Sequence, residues 1–220
     1  MIALVDYGAG NLTSVRKALS ALGADYEVPT DPAQLARAAG IIVPGVGHFA
    51  ATASLDRGWR RSILECVRAG VPLFGICLGM QWLFEGSEEA PELAGLGLIA
   101  GRCTKLEDRS AEALRTNPEG LRAGDKIKVP HVGWNSLAIP RPSRLLADVT
   151  AGAQVYFTHS YAAPVTTECV AITTHAAPFA AAVERDLVFG VQFHPEKSSD
   201  AGLRIVRNFL DVVQAHHRVP

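Results

Sequence analysis

Hydrophobic and polar positions in the first half of the chain alternate between two periods. Residues 2–6, Ile41-Ile42-Val43 and Val71-Pro72-Leu73-Phe74 are short apolar runs of a length that suits buried strands. Between them, Leu12, Val15, Leu19 and Leu22 recur at helical spacing, and so do Trp59, Ile63, Cys66 and Val67. Tyr26-Glu27-Val28 predicts a weak strand. Asp31-Pro32 opens a short helix, with aspartate as its cap and proline at its first position. Strands that alternate with helices predict a mostly parallel sheet covered on both faces, with right-handed crossovers.

The second half changes character. Residues 100–106, 126–138, 154–161, 168–174, 180–185 and 187–193 read as strands separated by turn residues. Residues 199–214 read as a last helix, with Leu203, Val206, Leu210 and Val213 on one stripe. The polar stretch 107–125, with Asn117-Pro118-Glu119-Gly120, reads as a surface loop. The expected fold class is α/β: a mostly parallel, doubly wound central sheet with helices on both faces and an added antiparallel strand section. One domain over 1–220 is expected, with the final strand and helix returning to the main sheet.

Composition changes the picture mainly by exclusion. A net charge of −1 over 220 residues gives no electrostatic case for nucleic acid or an acidic membrane. No apolar run approaches the roughly 20 residues that a membrane span needs. The start, Met1-Ile2-Ala3-Leu4-Val5-Asp6, has no signal-peptide pattern. Cys66, Cys77, Cys103 and Cys169 have no CxxC spacing, so reduced thiols, no metal site and a cytoplasmic protein are expected.

Candidate chemistry centres on Gly75-Ile76-Cys77-Leu78-Gly79, between the strand 72–76 and the helical pattern of Met80-Gln81-Trp82-Leu83-Phe84. A cysteine flanked at two residues by glycines, where a strand turns into a helix, has the pattern of a nucleophile elbow. The helix start behind it favours the thiolate. Such a nucleophile needs a base and an orienting group. His194, at the end of strand 187–193, is the candidate base. Glu196, two residues on past Pro195, is the candidate orienter. Pro44-Gly45-Val46-Gly47 follows another strand, and the N–H groups of Val46 and Leu78 are candidate oxyanion donors. Taken singly, Cys77 also fits a packed core thiol, His194 a structural histidine and Pro44–Gly47 an ordinary turn. Cys66, Cys103 and Cys169 have no such context and are read as packing residues.

Gly75-Ile76-Cys77-Leu78-Gly79-Met80-Gln81 with His194-Pro195-Glu196 resembles the class I, triad-type glutamine amidotransferases over nearly the whole chain. Asp6-Tyr7-Gly8-Ala9-Gly10-Asn11-Leu12, Pro44-Gly45-Val46-Gly47-His48-Phe49, Pro130-His131-Val132-Gly133-Trp134-Asn135, Tyr156-Phe157-Thr158-His159-Ser160-Tyr161 and Gln192-Phe193-His194-Pro195-Glu196-Lys197-Ser198 narrow the resemblance. They are similar to the glutaminase subunits of imidazole glycerol phosphate synthase. Val132 stands where that family most often has methionine, and the 107–125 loop looks longer than the family minimum.

The resemblance implies a glutaminase that hydrolyses L-glutamine through a thioester on Cys77 and needs no cofactor. It implies that Gly47, Gln81, His159, Ser160 and Tyr161 line the glutamine pocket. It implies a heterodimer with a (β/α)₈-barrel cyclase. That partner uses the ammonia to make imidazole glycerol phosphate and an aminoimidazole carboxamide ribonucleotide, in histidine biosynthesis. Asn11, Trp134 and Lys197 match positions that the family places near the partner; a cap, a core aromatic and a solvated charge are their plainer readings. A glutaminase of another synthase (anthranilate type), a free-standing γ-glutamyl cysteine hydrolase and a regulatory subunit with a dead site remain open at this point.

Overall fold

The computed structural model describes residues 1–106 and 128–217. The expected loop 107–125 and the first two residues of the expected strand 126–138 lie outside the described residues. The main sheet has seven strands in the order β10-β11-β12-β4-β3-β1-β2. These are β1 (Ile2–Leu4), β2 (Tyr26–Glu27), β3 (Gly40–Gly45), β4 (Leu73–Cys77), β10 (Cys169–His175), β11 (Ala177–Arg185) and β12 (Val188–Val191). From β12 to β2 all pairings are parallel, and β10-β11-β12 run antiparallel at one edge.

Side chains on these strands alternate between two cores, as the period of two requires. Ile2, Leu4, Ile42, Phe74 and Ile76 face α1 (Leu12–Ala21) and the long α4 (Ser199–His217), packing with Val15, Leu19, Ile205 and Phe209. Ala3, Val5, Ile41, Val43 and Leu73 face the other way. They pack with Ile63 and Cys66 of α2 (Arg57–Arg68) and with Met80 and Trp82 of α3 (Leu78–Leu83). Apolar residues on both faces of the central strands explain why the parallel segments read as continuous apolar runs. The short helix at Asp31-Pro32 is a 3₁₀ helix, Pro32–Arg37, with a full capping box between Asp31 and Gln34.

The added section is three pieces. The edge pair β10-β11 extends the main sheet. β5 (Gly86–Ser87), β6 (Arg102–Lys105) and β9 (Tyr161–Ala162) form a small sheet. β7 (His131–Ser136) and β8 (Gln154–His159) form an antiparallel pair. The expected strand 154–161 therefore breaks at Ser160, because the chain leaves β7 after His159 and pairs with β6 from Tyr161. The stripe of the last helix is also corrected. Leu203 is only half-buried, and Ile205 and Phe209 share the core with Val206, Leu210 and Val213. A 3₁₀ helix at Phe49–Ser54 carries no apolar period and was not legible.

The parallel strands β1, β3, β4 and β12 all end on one edge of the sheet. The turns after them carry Tyr7, Pro44–Gly47, Cys77 and Gln192–Glu196, so chain topology alone gathers the chemistry there. Among the described residues, no helix is long and apolar enough to cross a membrane.

Candidate active site

Cys77 is the last residue of β4, and α3 starts at the next residue. Its backbone sits at φ 53, ψ −108, a sparsely populated region for a residue with a side chain. The turn can form only because α3 lies hard against the sheet. A Cβ on Gly79 would stand 1.8 Å from the carbonyl oxygen of Val43. One on Gly75 would stand 2.6 Å from the carbonyl oxygen of Gly79. Both flanking glycines of the motif are thus required by close approach.

The elbow borders a cavity of about 240 Å³. Gly47, Leu78, Gln81, His159, Ser160 and Tyr161 line it together with Cys77, so every expected pocket residue reaches one cavity. Pro130, Thr158 and Glu89 line it as well. Glu89 was missed because it stands in a polar run, Glu85-Gly86-Ser87-Glu88-Glu89, with no motif. Its carboxylate accepts the Phe49 N–H at 2.7 Å, tying it to the chain just after the Pro44–Gly47 turn. The cavity is small beside sites for drug-sized ligands, and it suits a molecule the size of an amino acid.

His194 and Glu196 form a buried pair, with Nδ1 and Oε1 2.8 Å apart and side chains 1% and 2% exposed. The turn that carries them is clamped to β8. His194 N–H donates to Tyr156 O at 2.8 Å, and Ser198 Oγ donates to His194 O at 2.6 Å. Ser198 Oγ also accepts Tyr156 N–H at 2.9 Å. His194 Nε2 is buried beside Cys77 without a well-aligned hydrogen bond to any of the described residues. Burial disfavours the charged ring. The charge on Cys77, together with the Glu196 carboxylate, outweighs burial and lifts His194 to about 10. The ring is therefore set up to hold a proton next to the sulfur.

The oxyanion expectation fares unevenly. Leu78 lines the cavity, and as the first residue of α3 its N–H has no intrahelical acceptor. Val46 N–H instead donates to Ala9 O at 3.1 Å, so the turn after β3 does not offer that group to the cavity. The residue two before that acceptor, Tyr7, is buried, and its hydroxyl has no hydrogen-bond partner among the described residues. Its phenol is held well above the usual range, first by burial and then by the charge on Cys77.

A run of histidines lies behind the pocket. A carbonyl can only accept, so His159 Nδ1–H donates to Tyr161 O at 2.9 Å. His159 Nε2 then accepts His131 Nδ1–H at 3.1 Å, and His131 Nε2 accepts an Asn135 amide hydrogen at 3.3 Å. This pattern closes only if both rings are neutral. Burial, then the neighbouring rings, push His131 down to about 3. Burial, opposed by the bond to Tyr161 O, leaves His159 at about 4. In the unfolded chain both take protons near about 6.5. Stability is thus fully present above that pH and falls as pH drops toward about 4, by about 1.4 kcal/mol per pH unit for each ring. The thermal midpoint should fall over this window, and less steeply in His131→Gln; melting curves across pH check both.

The three residues matched to a partner surface divide. Trp134 is 52% exposed, which removes the core reading, and its ring meets Tyr156 edge-on at 6.1 Å. Lys197 Nζ lies 5.7 Å from the centre of the same Tyr156 ring. Asn11 caps α1, with Oδ1 accepting Ser14 N–H at 3.4 Å. Cys66, Cys103 and Cys169 are buried free thiols that do not line the cavity.

The sequence model of the class I glutamine amidotransferase family matches residues 3–213. The chain is 46% identical over 217 residues to the imidazole glycerol phosphate synthase subunit HisH of Moorella thermoacetica, covering 97% of this chain and 95% of that one. It is 45% identical over 213 residues to the HisH subunit of Desulfitobacterium hafniense, covering 95% and 93%. A crystal structure of a glutamine amidotransferase superposes with a TM-score of 0.70 at 18% identity, covering 97% and 98%. PurLQS from Thermotoga maritima superposes with a TM-score of 0.68 at 17% identity, covering 96% and 98%. At that identity the two structures speak for the fold alone. With an elbow cysteine, a buried His–Glu pair and a family match over almost its full length, the chain belongs to the class I glutamine amidotransferases, among the HisH subunits of imidazole glycerol phosphate synthase.

Proposed function

We propose that residues 1–220 work as one glutaminase domain that hydrolyses L-glutamine and hands the ammonia to a (β/α)₈-barrel cyclase. The observation that carries the chemistry is the buried His194–Glu196 pair beside the sulfur of a strained elbow. The Cys77 thiolate attacks the side-chain carboxamide carbon, forming the C–S bond and an oxyanion. His194 gives its proton to the departing nitrogen as the C–N bond breaks, leaving a γ-glutamyl thioester. His194 then takes a proton from water, which attacks the thioester, releasing glutamate and restoring the thiolate. Glu196 fixes the ring through Nδ1 and favours the imidazolium. Leu78 N–H holds the oxyanion. Glu89 is suited to the substrate's α-ammonium, since among the described residues it is the acidic side chain on the cavity wall.

The bond from Val46 N–H to Ala9 O supports a resting site whose second oxyanion donor is withheld. Gly47, at φ 93, gives the turn a residue that can reorient. Trp134, Tyr156 and Lys197 form an aromatic and cationic surface, and the Tyr156 backbone holds the His194 turn. A cyclase docked there can act on the base through one strand. Ammonia set free in neutral water is mostly protonated and no longer nucleophilic, so direct transfer to the partner gives the hydrolysis its purpose. The four free thiols fit the cytoplasm.

The test is a glutaminase assay of the chain alone, with the cyclase, and with the cyclase holding its nucleotide. Strong activation in the last mixture is expected; equal rates in all three would favour a free-standing hydrolase. Glu196→Gln should move the alkaline limb of kcat/KM to lower pH. It removes a negative charge that favours the His194 imidazolium, so the ring loses its proton earlier. A pH–rate profile with an unmoved limb would exclude Glu196 as the orienter.

A further inference from the structure

We infer that Gln192 is a second hydrogen-bond donor to the reacting sulfur, locked in its donating orientation by Gln81. The inference rests on the glutaminase reading above and adds a residue to it. Gln192 is fully buried, two residues before His194, and its Nε2 lies 3.6 Å from Cys77 Sγ, within reach of a hydrogen bond to sulfur. An amide can present either end, so its orientation decides whether this contact helps or opposes a thiolate.

Three bonds decide it. Tyr161 O can only accept, so the Gln81 atom 2.8 Å from it must be the amide nitrogen. The same Nε2 lies 3.1 Å from the Gln192 amide, which must therefore turn its oxygen to Gln81. The Gln192 NH₂ group is left facing the sulfur. Tyr161 O is held from its other side by His159 Nδ1–H, so the anchor of the series is itself fixed. Both Nε2 hydrogens of Gln81 are used, which leaves only its Oε1 for a ligand in the cavity it lines.

The contact has a direct chemical consequence. A largely buried thiolate with one imidazolium beside it has lone pairs left to satisfy, and a neutral N–H at that position favours the charged form. Gln192 supplies it without adding a charge that would compete with His194. It touches the reacting atom and is in that sense a catalytic residue, while Gln81 is a positioning residue that acts through it. The ionisable groups around the sulfur are His194 with Glu196 behind it and Tyr7. His159 and Glu89 stand on the cavity wall.

The test is the pH dependence of Cys77 alkylation by iodoacetamide, read at the Cys77 peptide by mass spectrometry, with Cys77→Ala as the blank. This measures the thiolate without requiring glutamine turnover, so it can fail while the glutaminase reading stands. In Gln192→Met, which keeps the length and removes the donor, the midpoint should rise by about one pH unit. In parallel, kcat should fall at neutral pH with KM little changed. A folded Gln192→Met with an unmoved midpoint would overturn the proposal, since a merely structural role would leave the profile in place. Should that variant not fold, the side-chain amide NMR resonances of the wild-type chain give the same answer. The Gln192 amide must shift with the alkylation midpoint, and an amide that stays still overturns the proposal.

Discussion

Replacing Cys77 with alanine is expected to lower glutaminase turnover by more than about 1,000-fold, because no other group can form the thioester. The chain should fold as before. Alanine keeps the Cβ, so the elbow's φ of 53 is no more strained than with cysteine. The lost sulfur leaves a site that borders a cavity already, so the packing cost is that of a small side chain. His194 should change with it. The charge on Cys77 is the largest influence that raises the ring, so in Cys77→Ala the ring should titrate at lower pH. Steady-state assays with the partner present check the first point, and NMR titration of His194 the second. Substantial residual turnover by the alanine variant would remove Cys77 from the chemistry.

Gly79→Ala should instead damage the fold. The added Cβ would lie 1.8 Å from a backbone oxygen of β3 and 3.5 Å from the Val43 side chain. Neither neighbour is the free end of a flexible chain, so α3 must lift off the sheet that positions Cys77. A cost of about 3 kcal/mol or more is expected, at the upper end for overpacking. Much of the variant should be insoluble, and the soluble part inactive. Gly47→Ala provides the contrast. There a Cβ would meet nothing within 4 Å, so only the φ of 93 resists it. The penalty of about 1–2 kcal/mol is local to the oxyanion turn. Denaturation midpoints should therefore separate the two alanines clearly. Equal midpoints would mean that the elbow is not held by the approach of α3 to β3.

Much of this was legible in the sequence, for reasons that particular residues make plain. The strands ending at Gly45, Cys77 and Val191 are apolar on both faces, so their presence was visible, whereas their limits moved: 41–43 became Gly40–Gly45, 72–76 became Leu73–Cys77 and 187–193 became Val188–Val191. Because parallel strands end on one edge, placing Cys77 and His194 after strands was enough to bring them together. Glu196 followed from its spacing to His194, and the distance of 2.8 Å agrees with that reading. What escaped the sequence was whatever depends on contacts far along the chain. Glu89 reaches the cavity only because β5 and β6 fold back on α3, and nothing in its own neighbourhood marks it. Val46 looked free to donate, but its N–H goes to Ala9, which stands 37 positions earlier in the chain. The break at Ser160 depends on β6 competing with β7 for the same strand. Gln192 stood in the motif Gln192–Ser198 with no role of its own, and the role inferred for it rests on Gln81 and Tyr161 together.

The central claim is that Cys77 carries the glutamyl group. Its most direct test is to quench the chain in acid while it turns over L-glutamine with its partner and the partner's ligand, and then to weigh its cysteine-containing peptides. The account predicts a γ-glutamyl mass on the Cys77 peptide and on none of those holding Cys66, Cys103 or Cys169, and its absence in Cys77→Ala. Glutamate production with the Cys77 peptide unmodified at every quench time, or with the adduct on another cysteine, would contradict it.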